Sequence, residues 1–286
     1  MAGENDEHIT VHRPLWDENG RCFWDGILLQ PKENNAIARL MLPPTKAIPV
    51  IFLPGVMGSN LMSMNSNPGE PIWRGDSPLA VLSEWISKTP DQRRNLLDPK
   101  TTQVDNRGKI SDDIFSLTTD DGCLFPPRNA RGWGEVLYIS YGKFLSVFQG
   151  ALVDGWQNGS AKEKSILTQL VGKRLNTEEP NESLLTADEL AHFNTFLFPL
   201  HVFGYNWLED NKASAQKLVS YIDTVLHLYR SQHGGGLAVE KVILLPTLWG
   251  GLSPAMPRRC WGLKVKYWAL YTALFPILAP RRPIAG

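Results

Sequence analysis

Side chains that could act as nucleophile or base are scattered along this sequence rather than clustered. Transfer by a serine needs a histidine within hydrogen-bond reach and a third group to orient it. The combinations on offer are Ser59 with His201 or His233. His201 falls inside the apolar stretch 199–205 (PLHVFGY), where a histidine is more commonly a satisfied core group than a base. Ser59 follows a glycine-containing turn, where a hydroxyl more commonly caps the next helix. No Gly-x-Ser-x-Gly occurs anywhere, and after Glu240 there is no Asp, Glu or His at all, so an acid and base downstream of a late nucleophile have no candidates. The cysteines Cys22, Cys123 and Cys260 are odd in number and far apart, which fits neither a disulfide framework nor zinc-ligand spacing. No metal and no other cofactor is expected.

Composition narrows the partners. Lys plus Arg equals Asp plus Glu at 29 each, so there is no global field to draw in nucleic acid, and no nucleic-acid partner is expected. At 286 residues with 43% hydrophobic and 20% charged side chains, the chain can bury one large core and reads as globular rather than disordered. The N-terminal stretch MAGENDEHITVHRP has no apolar leader, which leaves a cytoplasmic location or export by a signal-free route. The longest apolar run, Tyr267 to Ala279, is shorter than the roughly 18 to 20 residues a transmembrane helix needs. Flanked by Lys264, Lys266, Arg281 and Arg282, it could instead make a membrane-surface contact, although Pro276 and Pro280 interrupt any helix there.

The elements that must position any site follow an α/β pattern. Residues 1–46 read as an N-terminal arm laid over the body. The run 48–53 (IPVIFL), ending in Pro54-Gly55, has the signature of a buried parallel strand that stops at a sharp turn. Residues 62–134 are rich in Pro, Gly, Asp and Asn, with brief periodicity only near 79–86, and read as an irregular, cap-like insertion. Helical spacing is expected over 136–156 and near 162–171. The run 199–205 predicts a strand, followed by a helix carrying Leu218, Ile222, Val225, Leu226 and Tyr229 that stops at His233 to Gly236. The run 239–245 predicts a second strand, and right-handed crossover would place the two strands parallel and near one another.

In this frame, Pro54-Gly55-Val56-Met57-Gly58-Ser59-Asn60-Leu61 resembles the oxyanion loop of lipase-type α/β-hydrolases: the lecithin-cholesterol acyltransferase-like lipases, PGAP1-like esterases and bacterial lipase effectors. Phe203-Gly204-Tyr205-Asn206-Trp207 resembles the Tyr-Asp-Trp segment that ends the next strand in those proteins, with Asn206 in place of the acid. The resemblance covers about residues 47–244 and rests on the order of these elements. It implies a mostly parallel sheet with flanking helices, and a lipid or ester substrate in intact relatives. It also implies that Val56 or Met57 supplies a backbone N–H to the oxygen that becomes negative during acyl transfer.

The same resemblance places a nucleophile elbow, Thr-His-Ser-Met-Gly-Gly, directly after the strand that ends near Leu245. This chain has Pro246-Thr247-Leu248-Trp249-Gly250-Gly251 there: Leu248 fills the serine slot, and Gly250 and Gly251 remain as a remnant of the elbow. The genetic code offers a single cause. Codons CTA CCC ACT CTA TGG GGG GG encode residues 245–251 as given, and read one nucleotide earlier they encode Thr-His-Ser-Met-Gly-Gly. Composition changes at the same point, since residues 245–286 hold six of the 21 prolines, three of the ten tryptophans and no acidic residue. The sequence therefore divides into the arm (1–46), a partial hydrolase core (47–244) and an out-of-frame tail (245–286). It describes a lipase- or esterase-family protein, truncated by a frameshift and inactive as written. A core cut at that point would leave an unpaired apolar sheet edge and a tendency to aggregate. The alternative is a non-catalytic binding or membrane-interface protein whose apolar tail is genuine.

Overall fold

A computed structural model describes residues 8–12, 14–16, 22–24, 36–65, 69–76, 85–110, 126–153, 168–173, 184–231, 237–247 and 267–269. The main elements, in chain order, are strands β1 (Val50–Leu53), β2 (Leu61–Ser63) and β3 (Pro71–Trp73), helix α1 (Pro90–Leu96) and strand β4 (Thr102–Val104). Helix α2 (Lys143–Leu152), helix α3 (Ala187–Phe193), strand β5 (Leu200–Val202), the long helix α4 (Asn211–Ser231), strand β6 (Val242–Pro246) and strand β7 (Tyr267–Ala269) complete them.

The central sheet runs β5-β1-β6-β7 and every pairing in it is parallel. Both of its faces are covered, which is why β1 reads as an unbroken apolar run. Alternation along each strand sorts the side chains. Ile51, Leu53, Val242 and Leu244 pack in a cluster with Leu218, Ile222, Val225, Leu226 and Tyr229 of α4, whereas Val50, Phe52, Leu200 and Leu245 pack with Leu145, Trp133 and Val136 on the opposite side. The result is an α/β fold of helix, sheet and helix layers. Helix α4 begins where the Asp210 carboxylate accepts the Lys212 amide at 3.3 Å, filling one of the unsatisfied first-turn donors.

Several expectations shift. The two strands on either side of α4 are near neighbours, with β1 between them. Of the helix expected over 136–156, the described residues form a π-helical turn at Tyr138–Gly142 and then α2, preceded by a 3-10 turn at Trp133–Glu135. Of the helix expected near 162–171, only the 3-10 turn Thr168–Leu170 is within the described residues. Among the described residues of 62–134, β2 pairs antiparallel with both β3 and β4. Strands of three residues are too short to show periodicity, so the pattern could not reveal them. The arm contributes strand pairs of its own, His8–His12 with Ala36–Leu40 and Leu15–Trp16 with Cys22–Phe23. Residues Lys46–Ala47 then pair with Phe196–Leu197. The edge of β6 is not left unpaired, because β7 of the tail adds to it in parallel register, Val242 to Tyr267 through Leu244 to Ala269.

The outer edge of β5 is closed by side chains. Gln149 Oε1 accepts the Leu200 amide at 2.8 Å, and the Leu200 carbonyl accepts from Arg131 Nη1 at 2.8 Å and Trp133 Nε1 at 2.9 Å. The Val202 amide donates to the Arg131 carbonyl at 2.8 Å. Groups that would otherwise template another strand are thereby occupied. Arg131 is wholly buried, and desolvation pulls its guanidinium down to about 10.

Candidate active-site end of the sheet

The turn after β1 is fixed by its neighbours. The Gly58 amide donates to the Gly55 carbonyl at 2.9 Å, the Gly55 amide donates to Tyr141 Oη at 3.1 Å, and the Asn60 amide donates to the Glu135 carbonyl at 2.8 Å. The Met57 carbonyl accepts Trp73 Nε1 at 2.9 Å, and the Ser59 carbonyl accepts Trp207 Nε1 at 3.3 Å. Two amides in this turn, those of Val56 and Met57, have no hydrogen-bond acceptor among the described residues. Met57 has φ 63°, left-handed backbone that a side chain other than glycine rarely adopts and that surrounding contacts must hold in place. Gly58 permits the close approach, since a Cβ there would sit 2.7 Å from the Gly55 carbonyl oxygen and 2.9 Å from Tyr141 Oη.

Asn60, buried, is the chief anchor. Its Nδ2 donates to the Gly134 and Val136 carbonyls at 2.8 and 2.9 Å, and its Oδ1 accepts the Gly75 amide at 3.3 Å. Ser59 is also buried, and its Oγ accepts the Tyr205 amide at 3.0 Å. It caps no helix, contrary to expectation; it joins the end of β1 to the segment after β5. Neither Asn60 nor Tyr141 had any signal in sequence spacing, because their partners lie 15 to 86 residues away.

His201 is not available to Ser59. Its Nε2 lies 2.7 Å from Tyr229 Oη and its Nδ1 3.3 Å from Tyr221 Oη. Tyr221 donates its own proton to the Val202 carbonyl at 3.2 Å, so the network assigns Nδ1–H as donor to Tyr221 and Nε2 as acceptor from Tyr229. Burial, reinforced by the charge of Arg131, holds the imidazole well below its usual range and therefore neutral. His201 is a satisfied core histidine. His233 lies outside the described residues.

Asn206 is buried and donates from Nδ2 to the Thr102 carbonyl and Oγ1, both at 3.0 Å, while its Oδ1 accepts the Leu208 amide at 3.2 Å. A carboxylate has no proton to give the Thr102 carbonyl, so asparagine suits this junction between core and insertion where an acid would not. Beside it, Glu135 Oε2 accepts the Gly204 amide at 2.7 Å; burial pushes this carboxyl up to about 7, against the lowering effect of that hydrogen bond.

Strand β6 runs alongside β1 to its end. Pro246 pairs with Leu53, and the Thr247 amide still donates to the Leu53 carbonyl at 3.1 Å. Leu53 is the last residue of β1, and Pro54 and Gly55 separate it from Val56 and Met57. Leu248, Gly250 and Gly251 themselves lie outside the described residues. Thr247 Oγ1 is buried with no hydrogen-bond partner among the described residues. No group of three or more His, Cys, Asp or Glu among the described residues could hold a metal ion. No helix among them is long and apolar enough to cross a membrane.

Among solved structures, the chain is similar to one described as the crystal structure of the Tle4-Tli4 complex, with a TM-score of 0.55 and 25% sequence identity over 71% of this chain. The match covers 40% of that chain, so this protein spans well under half of its neighbour's length. Tle4 is a lipase effector of α/β-hydrolase type, which gives this chain a coarse lipase-like relation. No protein-family model matches the chain, and no curated protein is significantly similar to it.

Proposed function

We propose that this chain is the front part of a lipase-type ester hydrolase that has kept its oxyanion turn and lost its nucleophile to a shift of reading frame near Leu244–Leu245, so that it does not hydrolyse esters as written. One observation carries the reading. The chain follows β1 as far as Thr247, whose amide bonds to the Leu53 carbonyl at the strand end that leads into the turn with the two uncommitted amides, and the next residue in the sequence is Leu248, which has no atom able to attack a carbonyl. In an intact relative, a serine at this position would attack an acyl carbonyl of a lipid or other ester, and the Val56 and Met57 amides would receive the negative oxygen. The lipase-like structural neighbour supports the substrate class.

The test is to sequence the DNA encoding Gly236 to Gly286 and the region beyond it. An open frame reading Thr-His-Ser-Met-Gly-Gly one nucleotide away, continuing into sequence with an Asp and a His, is the expected result. Stops in that frame would overturn the frameshift. A second reading, a non-catalytic binding protein with a genuine tail, is favoured by the parallel pairing of β7 with β6, which gives part of that tail a place in the sheet.

A further inference from the structure

Glu135 closes the 3-10 turn Trp133–Glu135 and binds two separate segments at once. Its carbonyl accepts the Asn60 amide at 2.8 Å, and its carboxyl Oε2 accepts the Gly204 amide at 2.7 Å. Its neighbours also grip the turn after β1: the Leu137 amide donates to the Gly58 carbonyl at 2.9 Å, and the Gly134 and Val136 carbonyls accept from Asn60. Two glycines make room for the carboxyl. A Cβ on Gly204 would sit 2.7 Å from the Glu135 Cβ and 3.1 Å from Oε2, and one on Gly132, whose φ is 80°, would sit 3.3 Å from the carboxyl carbon. Among the described residues no cation pairs with this group. Arg131, on the same segment, directs its guanidinium at the Pro126 and Leu200 carbonyls and at Gln149. On the far side of Asn60, Asp105 pairs with Arg74 and Arg107. On α4, Tyr221 is pushed up and keeps its proton, and on β5 His201 is neutral. The turn after β1 and the segment after β5 bring Ser59, Asn60 and the Gly204 and Tyr205 amides, none of which carries a charge.

We infer that Glu135 is a pH-operated latch, which fastens the turn after β1 to the segment after β5 while its carboxyl is protonated and releases both as the pH rises. Protonated, the carboxyl stays seated between Gly132 and Gly204. Ionised, it is costly to keep in a slot that no cation lines, so the open form carries it into water, gives its proton to solvent and loosens the contacts at Gly58 and Asn60. Burial pushes the seated carboxyl up to about 7, whereas in the open form it ionises around its ordinary 4.5. The open population therefore grows about tenfold per pH unit between these values and levels off above them, where the seated group is ionised too. The latch depends neither on ester hydrolysis nor on the origin of the tail.

Hydrogen exchange of the full chain, followed by NMR and corrected for the intrinsic rate at each pH, tests it. Protection of the Gly204 and Asn60 amides should fall about tenfold per unit from about pH 5 to about pH 7 and then level off. Because the opening is local, this exchange should be insensitive to dilute urea, whereas amides in the middle of α4 should respond to it. Glu135→Gln keeps an oxygen for the Gly204 amide and should make its protection independent of pH. Glu240→Gln, at an exposed carboxylate, should leave the wild-type profile. If Glu135→Gln does not fold, the wild type decides by itself: the Glu135 carboxyl carbon should titrate near 7, and the Gly204 amide nitrogen should follow it. A midpoint near the ordinary 4.5, flat Gly204 protection, or a pH dependence that survives in Glu135→Gln overturns the latch. Loss of Gly204 and α4 protection in step overturns it too, and assigns the effect to global stability.

Discussion

The turn after β1 and the end of β6 lie at the same end of the sheet on neighbouring parallel strands, and they are held in contrasting ways. The first is secured from several directions: Tyr141 from the π-helical turn, Trp73 from β3, Trp207 and Tyr205 from beyond β5, and Glu135, Gly134 and Val136 from the end of the insertion. At the second, the Thr247 hydroxyl is buried without a partner among the described residues. Both arise from apolar strands that pair with each other residue by residue, so the difference does not lie in the sheet.

Substitutions can break this contrast or sharpen it. The largest effect is expected at Asn60→Ala, which strips hydrogen bonds from the Gly134 and Val136 carbonyls and the Gly75 amide; urea unfolding should show a loss of about 3 to 4 kcal/mol. A loss near the background of surface variants would mean that the first turn is no better held than the second.

Next comes the pH dependence from Glu135. Its carboxyl binds a proton up to about 7 in the folded protein against an ordinary value of 4.5, so between these values the folded state holds a proton that the unfolded chain releases. Stability should therefore fall as pH rises from 4.5 towards 7, by up to about 3 kcal/mol, and level off above it. Glu135→Gln can keep the bond from the Gly204 amide and should flatten this profile, being more stable than wild type above pH 7. Parallel pH curves for the two proteins would refute the assignment.

The same deletion of a hydroxyl should have opposite signs in the two turns. Ser59→Ala removes the acceptor of the buried Tyr205 amide and should cost about 1 to 2 kcal/mol, whereas Thr247→Val removes a buried group with no partner among the described residues and should be neutral or stabilising by up to about 1 kcal/mol. Thermal unfolding of the pair reads both. Equal losses would erase the contrast. The smallest effect is expected from Leu248→Ser: a short-chain ester assay should show no turnover, because a serine alone has no base or acid after Glu240 to activate it. Measurable hydrolysis would break the inactive reading directly.

Elements with a strong local pattern are legible in the amino-acid sequence. The run 48–53 contains β1, the periodic apolar positions of 218–229 lie on one buried face of α4, and 239–245 overlaps β6. Short elements are not. β2, β3 and β4 are three residues each, and the pairing of β7 depends on an edge that exists only once β6 has joined the sheet. The turn at Val56 and Met57 is legible through the glycines around it. The residues that immobilise the turn, Asn60, Tyr141 and Trp73, are not, since hydrogen bonds to partners 15 to 86 residues away leave no trace in spacing.

What the sequence determined by itself is therefore the class of fold, because burial on both faces dictates unbroken apolar strands. Only the tertiary structure decided which amides stay uncommitted, that His201 is consumed by two tyrosines, and that Glu135 keeps its proton near neutrality. Those properties depend on which distant groups converge and how much water they exclude, and both are fixed only when the layers close on the sheet.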